Sequence, residues 1–112
     1  MPEAQRSGKK GIKMLNINKE TDGTKLVLSV GGRLDTTTAP ELEQEIRENT
    51  EGIESLELDL KDLEYISSAG LRVLLSAQKI MNLQGSMVVK NVSQPIMEIF
   101  EVTGFSDILA IE

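Results

Sequence analysis

The sequence predicts a single α/β domain with a mixed, mostly parallel sheet and helices packed mainly on one face. Two observations predict it. Strand-like and helix-like segments follow one another in the order β-β-α-β-α-β-α-β, and the strand segments alternate apolar with polar residues. Helices between strands make the crossovers of parallel pairing, and an opening hairpin gives an antiparallel pair. Alternation within the strands indicates that one sheet face is only partly covered, because strands buried on both faces are continuously apolar.

Two strands and a helix open the domain. Leu15 to Asn18 is a short strand, and Lys25 to Val30 alternates with a period of two. The Asp22-Gly23 pair between them suits a hairpin turn, because both residues tolerate positive φ. The first helix is predicted from Ala39 to Asn49, with Thr38 as its N-cap and proline in its first turn.

The second half repeats the strand and helix pattern. The segment from Leu56 to Leu60 alternates leucine with acidic residues and predicts a strand. A helix over 68–82 has an apolar stripe, and Met87 to Lys90 is the next strand. The third helix begins near Gln94, after Ser93 as its cap, and stops at a glycine. Residues 108–111 are predicted as the last strand.

Composition excludes several classes of function. The 112 residues include no cysteine and no histidine, which excludes disulfides, a thiol nucleophile, a Ser-His-Asp triad and histidine metal ligands. We therefore expect no metal and no cofactor. The net charge of −6 disfavours direct nucleic-acid binding. No apolar run approaches a membrane span or a signal peptide, and we predict a cytoplasmic protein.

Residues 1–13 differ from the rest of the chain. They hold four basic residues and one acidic residue, a net charge of +3. Because the whole chain has a net charge of −6, residues 14–112 have a net charge of −9. Because this segment lacks apolar periodicity, we interpret it as a flexible N-terminal arm or a cloning remnant. The domain itself is predicted over residues 14–112.

Two hydroxyl side chains, Ser67 and Ser68, lie at the entrance of the second helix, followed by Ala69 and Gly70. One interpretation is structural: Ser67 caps the helix and Gly70 permits close packing. The other is functional. A phosphate on Ser68 would lie at a helix N-terminus, where free N–H groups and the dipole favour an anion. Its added charge of about −1.5 to −2 would disrupt an interface formed by this surface.

Two motifs, Gly32-Arg33-Leu34-Asp35 and Tyr65-Ile66-Ser67-Ser68-Ala69-Gly70-Leu71-Arg72, together with the order of elements, resemble the STAS family over Met14 to Glu112. The similar branch is that of the bacterial anti-sigma-factor antagonists. The resemblance implies that the unphosphorylated chain binds an anti-sigma factor, which is a serine kinase, and so releases the sigma factor. Phosphorylation by that kinase switches the antagonist off, and a phosphatase resets it. The chain would be a substrate and not an enzyme, with ATP held by the kinase.

The resemblance also assigns residues. Counting back from Gly70 places the phosphoacceptor on Ser68, with Ser67 as the alternative. Ser67 stands where the family usually has aspartate, and Ala69 stands at the second hydroxyl position. Asp35 matches the aspartate near the partner-binding face, although a turn or cap role explains it equally well. The predicted partner-binding surface comprises Asp35, Thr36, Ser67, Ser68, Ala69, Gly70 and Arg72.

Other functions stay open at this point. A STAS scaffold or accessory subunit of a transporter or sensory complex would leave Ser68 unphosphorylated. A small hydrolase would use paired carboxylates such as Asp59 and Asp62, but no activating base accompanies them. Arg72 could contact a partner or pair with a surface carboxylate. We expect a monomer, although the partly covered sheet face also suits a dimer.

Overall fold

The structure is a computed structural model and describes residues 14–112, so the predicted arm over residues 1–13 lies outside the described residues. Nine elements follow in order: β1 (Leu15–Asp22), β2 (Lys25–Leu34), α1 (Ala39–Asn49), β3 (Ser55–Asp59), β4 (Leu63–Ile66), α2 (Ser68–Gln84), β5 (Ser86–Lys90), α3 (Gln94–Thr103) and a short 3-10 helix (Phe105–Asp107).

The five strands form one mixed sheet in the order β1-β2-β3-β5, with β4 also paired to β2. The hairpin β1–β2 is antiparallel and the other pairs are parallel. β2 is long enough to pair with β3 along its first half and with β4 at its end. The predicted fold class, a mixed and mostly parallel sheet, is confirmed.

The helices cover one face of this sheet. In β2, Leu26 and Leu28 are fully buried, whereas Val27 between them is only half-buried. β3 and β5 show the same alternation. On the open face, Lys25 and Lys90 each lie 3.4 Å from a carboxylate oxygen of Glu57. The predicted partly covered face is therefore present and carries charged side chains.

Each helix contributes an apolar stripe to the core. Leu42 and Ile46 of α1, and Ile96 and Phe100 of α3, are buried at spacings of four residues. The buried stripe of α2 is Gly70, Leu71, Val73, Leu74, Ala77, Gln78 and Met81. The predicted helix bounds are confirmed to within two residues, since α2 ends at Gln84 and not at residue 82.

One strand, β4, was not predicted. Its burial pattern is buried, exposed, exposed, buried, because Leu63 and Ile66 face the core while Glu64 and Tyr65 both face solvent. The pairing shows why: Gly32 pairs with Leu63, but Arg33 pairs with Tyr65, so Glu64 is an extra residue in β4. Such a bulge breaks the alternation on which strand prediction depends.

The predicted last strand over residues 108–111 is reduced to one parallel bridge between Ile111 and Val89. Leu109 N–H donates to the Phe105 carbonyl at 2.9 Å, so the chain is still turning at that point. Only beyond it does the Val89 N–H donate to the Ala110 carbonyl, at 2.8 Å. Because the turn that follows the 3-10 helix extends to Leu109, too few residues are left for a longer strand.

Candidate functional site

The carboxyl ends of β2 and β4 bring the two motifs together. Leu34 is paired with Ile66, and the Ser67 N–H donates to the Leu34 carbonyl at 2.9 Å. Because parallel strands end at the same edge of a sheet, Asp35 follows β2 at the point where Ser67 begins the entrance to α2. Two segments that are 32 residues apart in the chain thus share one edge.

The two serines have different environments. Ser67 is the N-cap of α2, with extended backbone angles, and its Oγ accepts a hydrogen bond from Gly70 N–H at 3.4 Å. Ser68 is the first residue of α2, and its side chain is exposed. The cap role of Ser67 is confirmed, and the hydroxyl of Ser68 lies on the surface beside the free N–H groups of the helix.

Gly70 has a packing role. A Cβ atom at this position would lie 2.8 Å from Ile66 Cγ1 and 2.8 Å from Leu34 Cγ. Carbon atoms in contact normally lie about 3.5–4.0 Å apart. The absence of a side chain therefore lets the first turn of α2 pack directly on the ends of β2 and β4. The structural interpretation of Gly70 is supported by this contact, and Gly70 itself is buried.

Asp35 caps the turn that begins α1. Its Oδ1 accepts hydrogen bonds from the Thr37 hydroxyl at 2.7 Å, from Thr37 N–H at 2.9 Å and from Thr38 N–H at 3.2 Å. The hydrogen bond from the Thr37 hydroxyl is the main cause that lowers the pKa of Asp35 below its ordinary value of 3.8. The carboxyl group is therefore charged at neutral pH, and its Oδ2 is not used by this turn.

A groove lies between α1 and the first half of α2. Its volume is about 530 Å³. Three residues of the predicted partner-binding surface line it, Thr36, Ala69 and Arg72. It continues along α1 past Pro40 and Glu43, and along α2 past Ser76 and Lys79. The exposed Ser68 directly precedes Ala69, which lines this groove.

Sequence reasoning missed one feature of this edge, a contact between Arg33 and Tyr65. The guanidinium carbon of Arg33 lies 4.3 Å from the centroid of the Tyr65 ring, which is a cation–π contact. Both residues stand in the two motifs, but nothing in their spacing pairs them. The contact could be predicted only from the pairing of β4 with β2, because that pairing places Arg33 opposite Tyr65.

The carboxylates considered for hydrolysis lie elsewhere, on the open face of the sheet. Asp59 and Asp62 both line a wide cavity of about 1040 Å³. Asp59 Oδ1 already accepts from Lys61 N–H at 3.0 Å and from the Asn91 side-chain amide at 3.1 Å. Within residues 14–112, no three acidic side chains are grouped as metal ligands. Nor does any helix in that range combine the length and hydropathy of a membrane span.

A family model described as "Mlab, STAS domain" matches residues 17–110. The anti-sigma-B factor antagonist of Listeria monocytogenes is 35% identical over 97 residues, which is 84% of each chain.

Solved structures show the same fold. An anti-sigma factor antagonist from Mycobacterium paratuberculosis superposes with a TM-score of 0.78 at 24% identity, covering 87% of this chain and 84% of the other. The Bacillus cell fate determinant SpoIIAA, solved in the phosphorylated form, superposes with a TM-score of 0.69 at 15% identity, covering 87% and 91%. At these identities the two structures support the fold alone.

Proposed function

We propose that this chain, which belongs to the STAS domain family, is an anti-sigma factor antagonist controlled by phosphorylation of Ser68. A relative that aligns over 84% of the chain is an anti-sigma-B factor antagonist. In its unphosphorylated form this chain binds an anti-sigma factor that is a serine kinase, and the sigma factor is released. The phosphorylated form no longer binds the kinase, and a phosphatase restores the unphosphorylated form. Since this regulation acts on transcription in bacteria, we place the protein in the cytoplasm.

The observation that carries the proposal is the division of roles between the two serines. Ser67 uses its hydroxyl to cap α2, whereas Ser68 presents its hydroxyl to solvent at the first helical position. A kinase can reach Ser68 without unfolding the helix. Ser67 is the alternative acceptor, but phosphorylation there would have to displace the cap hydrogen bond to Gly70.

Electrostatics supports the direction of the switch. Residues 14–112 carry a net charge of −9, and the Asp35 carboxylate stands at the same edge of the sheet. A partner that docks here is expected to present basic groups. A phosphate at the start of α2 is accepted by the helix dipole, so the fold tolerates it. The same phosphate adds bulk and about −1.5 to −2 charge within the interface, where it must be desolvated. Phosphorylation therefore abolishes binding to the partner while the domain stays folded.

In this proposal the chain is a substrate and a binding module, not an enzyme. It supplies a hydroxyl group, whereas the kinase holds ATP and performs the transfer. The groove between α1 and α2 extends the contact surface from Ser68 through Thr36, Ala69 and Arg72. The chain acts as a monomer in the complex.

The test is the intact mass of the protein after incubation with ATP and each anti-sigma kinase of the source organism in turn. Wild type, Ser68→Ala and Ser67→Ala are compared, and binding of each to the same kinase is measured by calorimetry before and after the reaction. We expect a single phosphate on wild type and on Ser67→Ala, none on Ser68→Ala, and loss of binding in the phosphorylated protein. Loss of the phosphate only in Ser67→Ala would move the acceptor by one residue.

A different result would favour a different function. If each kinase phosphorylates a reference antagonist but leaves wild type unmodified and unbound, the proposal fails. The unphosphorylated scaffold of a transporter or sensory complex would then be the better function. Turnover of a substrate by the purified chain alone would instead favour the hydrolase.

A further inference from the structure

The contact between Arg33 and Tyr65 stands on the surface at the carboxyl ends of β2 and β4. The Arg33 side chain is 47% exposed and Tyr65 is 39% exposed. An exposed cation–π contact contributes only about 0.5–1 kcal/mol to folding. Arginine and tyrosine are, however, among the residue types most enriched in the energetic centres of protein interfaces. The pair is therefore better suited to binding than to stability.

The backbone beneath this pair is held from two sides. Arg33 N–H donates to the Met14 carbonyl at 2.7 Å, and Gly32 N–H donates to the Asp62 carbonyl at 2.9 Å. Gly32 has a φ of +92°, and a Cβ there would collide with the Met14 carbonyl oxygen. The extra residue in β4 then turns Tyr65 outward to face Arg33. A contact supported in this way is preorganised, which reduces the entropy lost on binding.

Toward the described part of the chain, the guanidinium group of Arg33 keeps its hydrogen-bond donors free. Among residues 14–112, its only ion pair is the one with Asp35, in which Nε lies 3.8 Å from Oδ2. That distance is too long for a hydrogen bond. The planar fork of arginine matches a carboxylate with two parallel hydrogen bonds, and Tyr65 covers one of its faces.

We propose that Arg33, stacked on Tyr65, binds a carboxylate side chain of the anti-sigma factor and so selects the cognate partner. The inference rests on the proposed function and adds the chemistry of one contact to it. In a domain whose residues 14–112 carry a net charge of −9, Arg33 offers a guanidinium group two residues before Asp35, near the carboxyl end of β2. An acidic side chain facing it would fix the register of an otherwise basic docking surface, and non-cognate partners without that side chain would be rejected.

The test measures the affinity of the unphosphorylated protein for the anti-sigma kinase that phosphorylates it. We expect Arg33→Glu to weaken binding at least about thirtyfold, the threshold of an energetic centre. We expect Arg33→Lys and Tyr65→Ala to weaken it less and Tyr65→Phe to leave it unchanged. The matched control is Lys19→Glu, which makes the same charge change on exposed β1 and should leave the affinity within about twofold. Urea unfolding of each variant shows that it is folded.

A charge exchange identifies the partner group. Each acidic residue on the kinase's docking surface is replaced singly by lysine, and one replacement is expected to restore binding of Arg33→Glu while weakening binding of wild type. If wild type binds and Ser68 is phosphorylated, but Arg33→Glu binds as tightly as wild type, this inference is wrong and the proposed function survives. If wild type binds no anti-sigma kinase, both are wrong.

Discussion

Replacing Gly70 by alanine sets two effects of opposite sign against each other. Alanine is favoured over glycine in a helix by about 1 kcal/mol, so the substitution would stabilise an unobstructed helix. The new methyl group would, however, lie 2.8 Å from both Ile66 Cγ1 and Leu34 Cγ, and all three residues are buried. Overpacking of this kind costs about 1–3 kcal/mol. We therefore expect Gly70→Ala to lower the free energy of unfolding by about 1 kcal/mol net.

Urea unfolding followed by circular dichroism measures this change. With a urea dependence of about 1–3 kcal/mol/M for small proteins, the midpoint should fall by roughly 0.3–1 M. The control is the same substitution in a Leu34→Ala background, where one of the two obstructing side chains is gone. There the helix preference should outweigh the remaining contact, and Gly70→Ala should become neutral or stabilising. If Gly70→Ala alone is more stable than wild type, α2 packs less closely on β2 and β4 than the structure shows.

Three further predictions concern Ser68 as the proposed switch residue, the carboxylate of Asp35 and the side chain of Gln84. Ser68→Asp places an acidic group at the first turn of α2 and should leave the free energy of unfolding unchanged or raise it by up to about 1 kcal/mol. A lower free energy of unfolding, measured with urea, would contradict the expectation that the fold tolerates a phosphate at this position. Asp35 has a lowered pKa in the folded state, so its stabilisation is present above the unfolded pKa near 3.8 and is lost as the pH falls through the folded pKa. We expect Asp35→Asn to have a lower free energy of unfolding than wild type at pH 6, and we expect this difference to narrow below about pH 4. A difference that does not change with pH would exclude a stabilising role for the charged carboxylate. Gln84→Ala removes hydrogen bonds to the Thr50 and Ile53 carbonyls at 2.6 and 2.7 Å and should cost about 1–3 kcal/mol, measured by thermal unfolding, whereas Glu48→Ala on the surface of α1 should cost less than about 0.5 kcal/mol.

The sequence predicted elements with a regular period and missed those where the period changes. The strand β3 alternates leucine with polar residues, and its bounds differ from the prediction by one residue at each end. In β4, by contrast, Glu64 is an additional residue, so the buried Leu63 and Ile66 are three apart and break the period of two that marks a strand. A bulge depends on the partner strand, which a local pattern does not contain.

The candidate site was predicted in the same uneven way. Thr38 is the N-cap residue of α1 as predicted, but its side chain makes no cap hydrogen bond. Its hydroxyl instead donates to the Arg33 carbonyl at 2.7 Å, and the Asp35 carboxylate accepts from the turn. Residue types that favour caps were recognised, because the preference is local. Which of two neighbouring side chains accepts the hydrogen bond depends on how the end of β2 approaches α1, which is a tertiary property.

The helix entrance reconciles the structural and functional interpretations of the two serines. A switch residue must be modifiable without loss of the fold, yet it must lie on a surface that is well enough ordered to bind a partner. Ser67 provides the order, because its N–H holds α2 to the Leu34 carbonyl of β2 while its hydroxyl caps the helix. Ser68 is adjacent and exposed, so its modification changes the charge of the surface but removes none of these bonds. A structural role for one serine is therefore the condition that allows a regulatory role for the next.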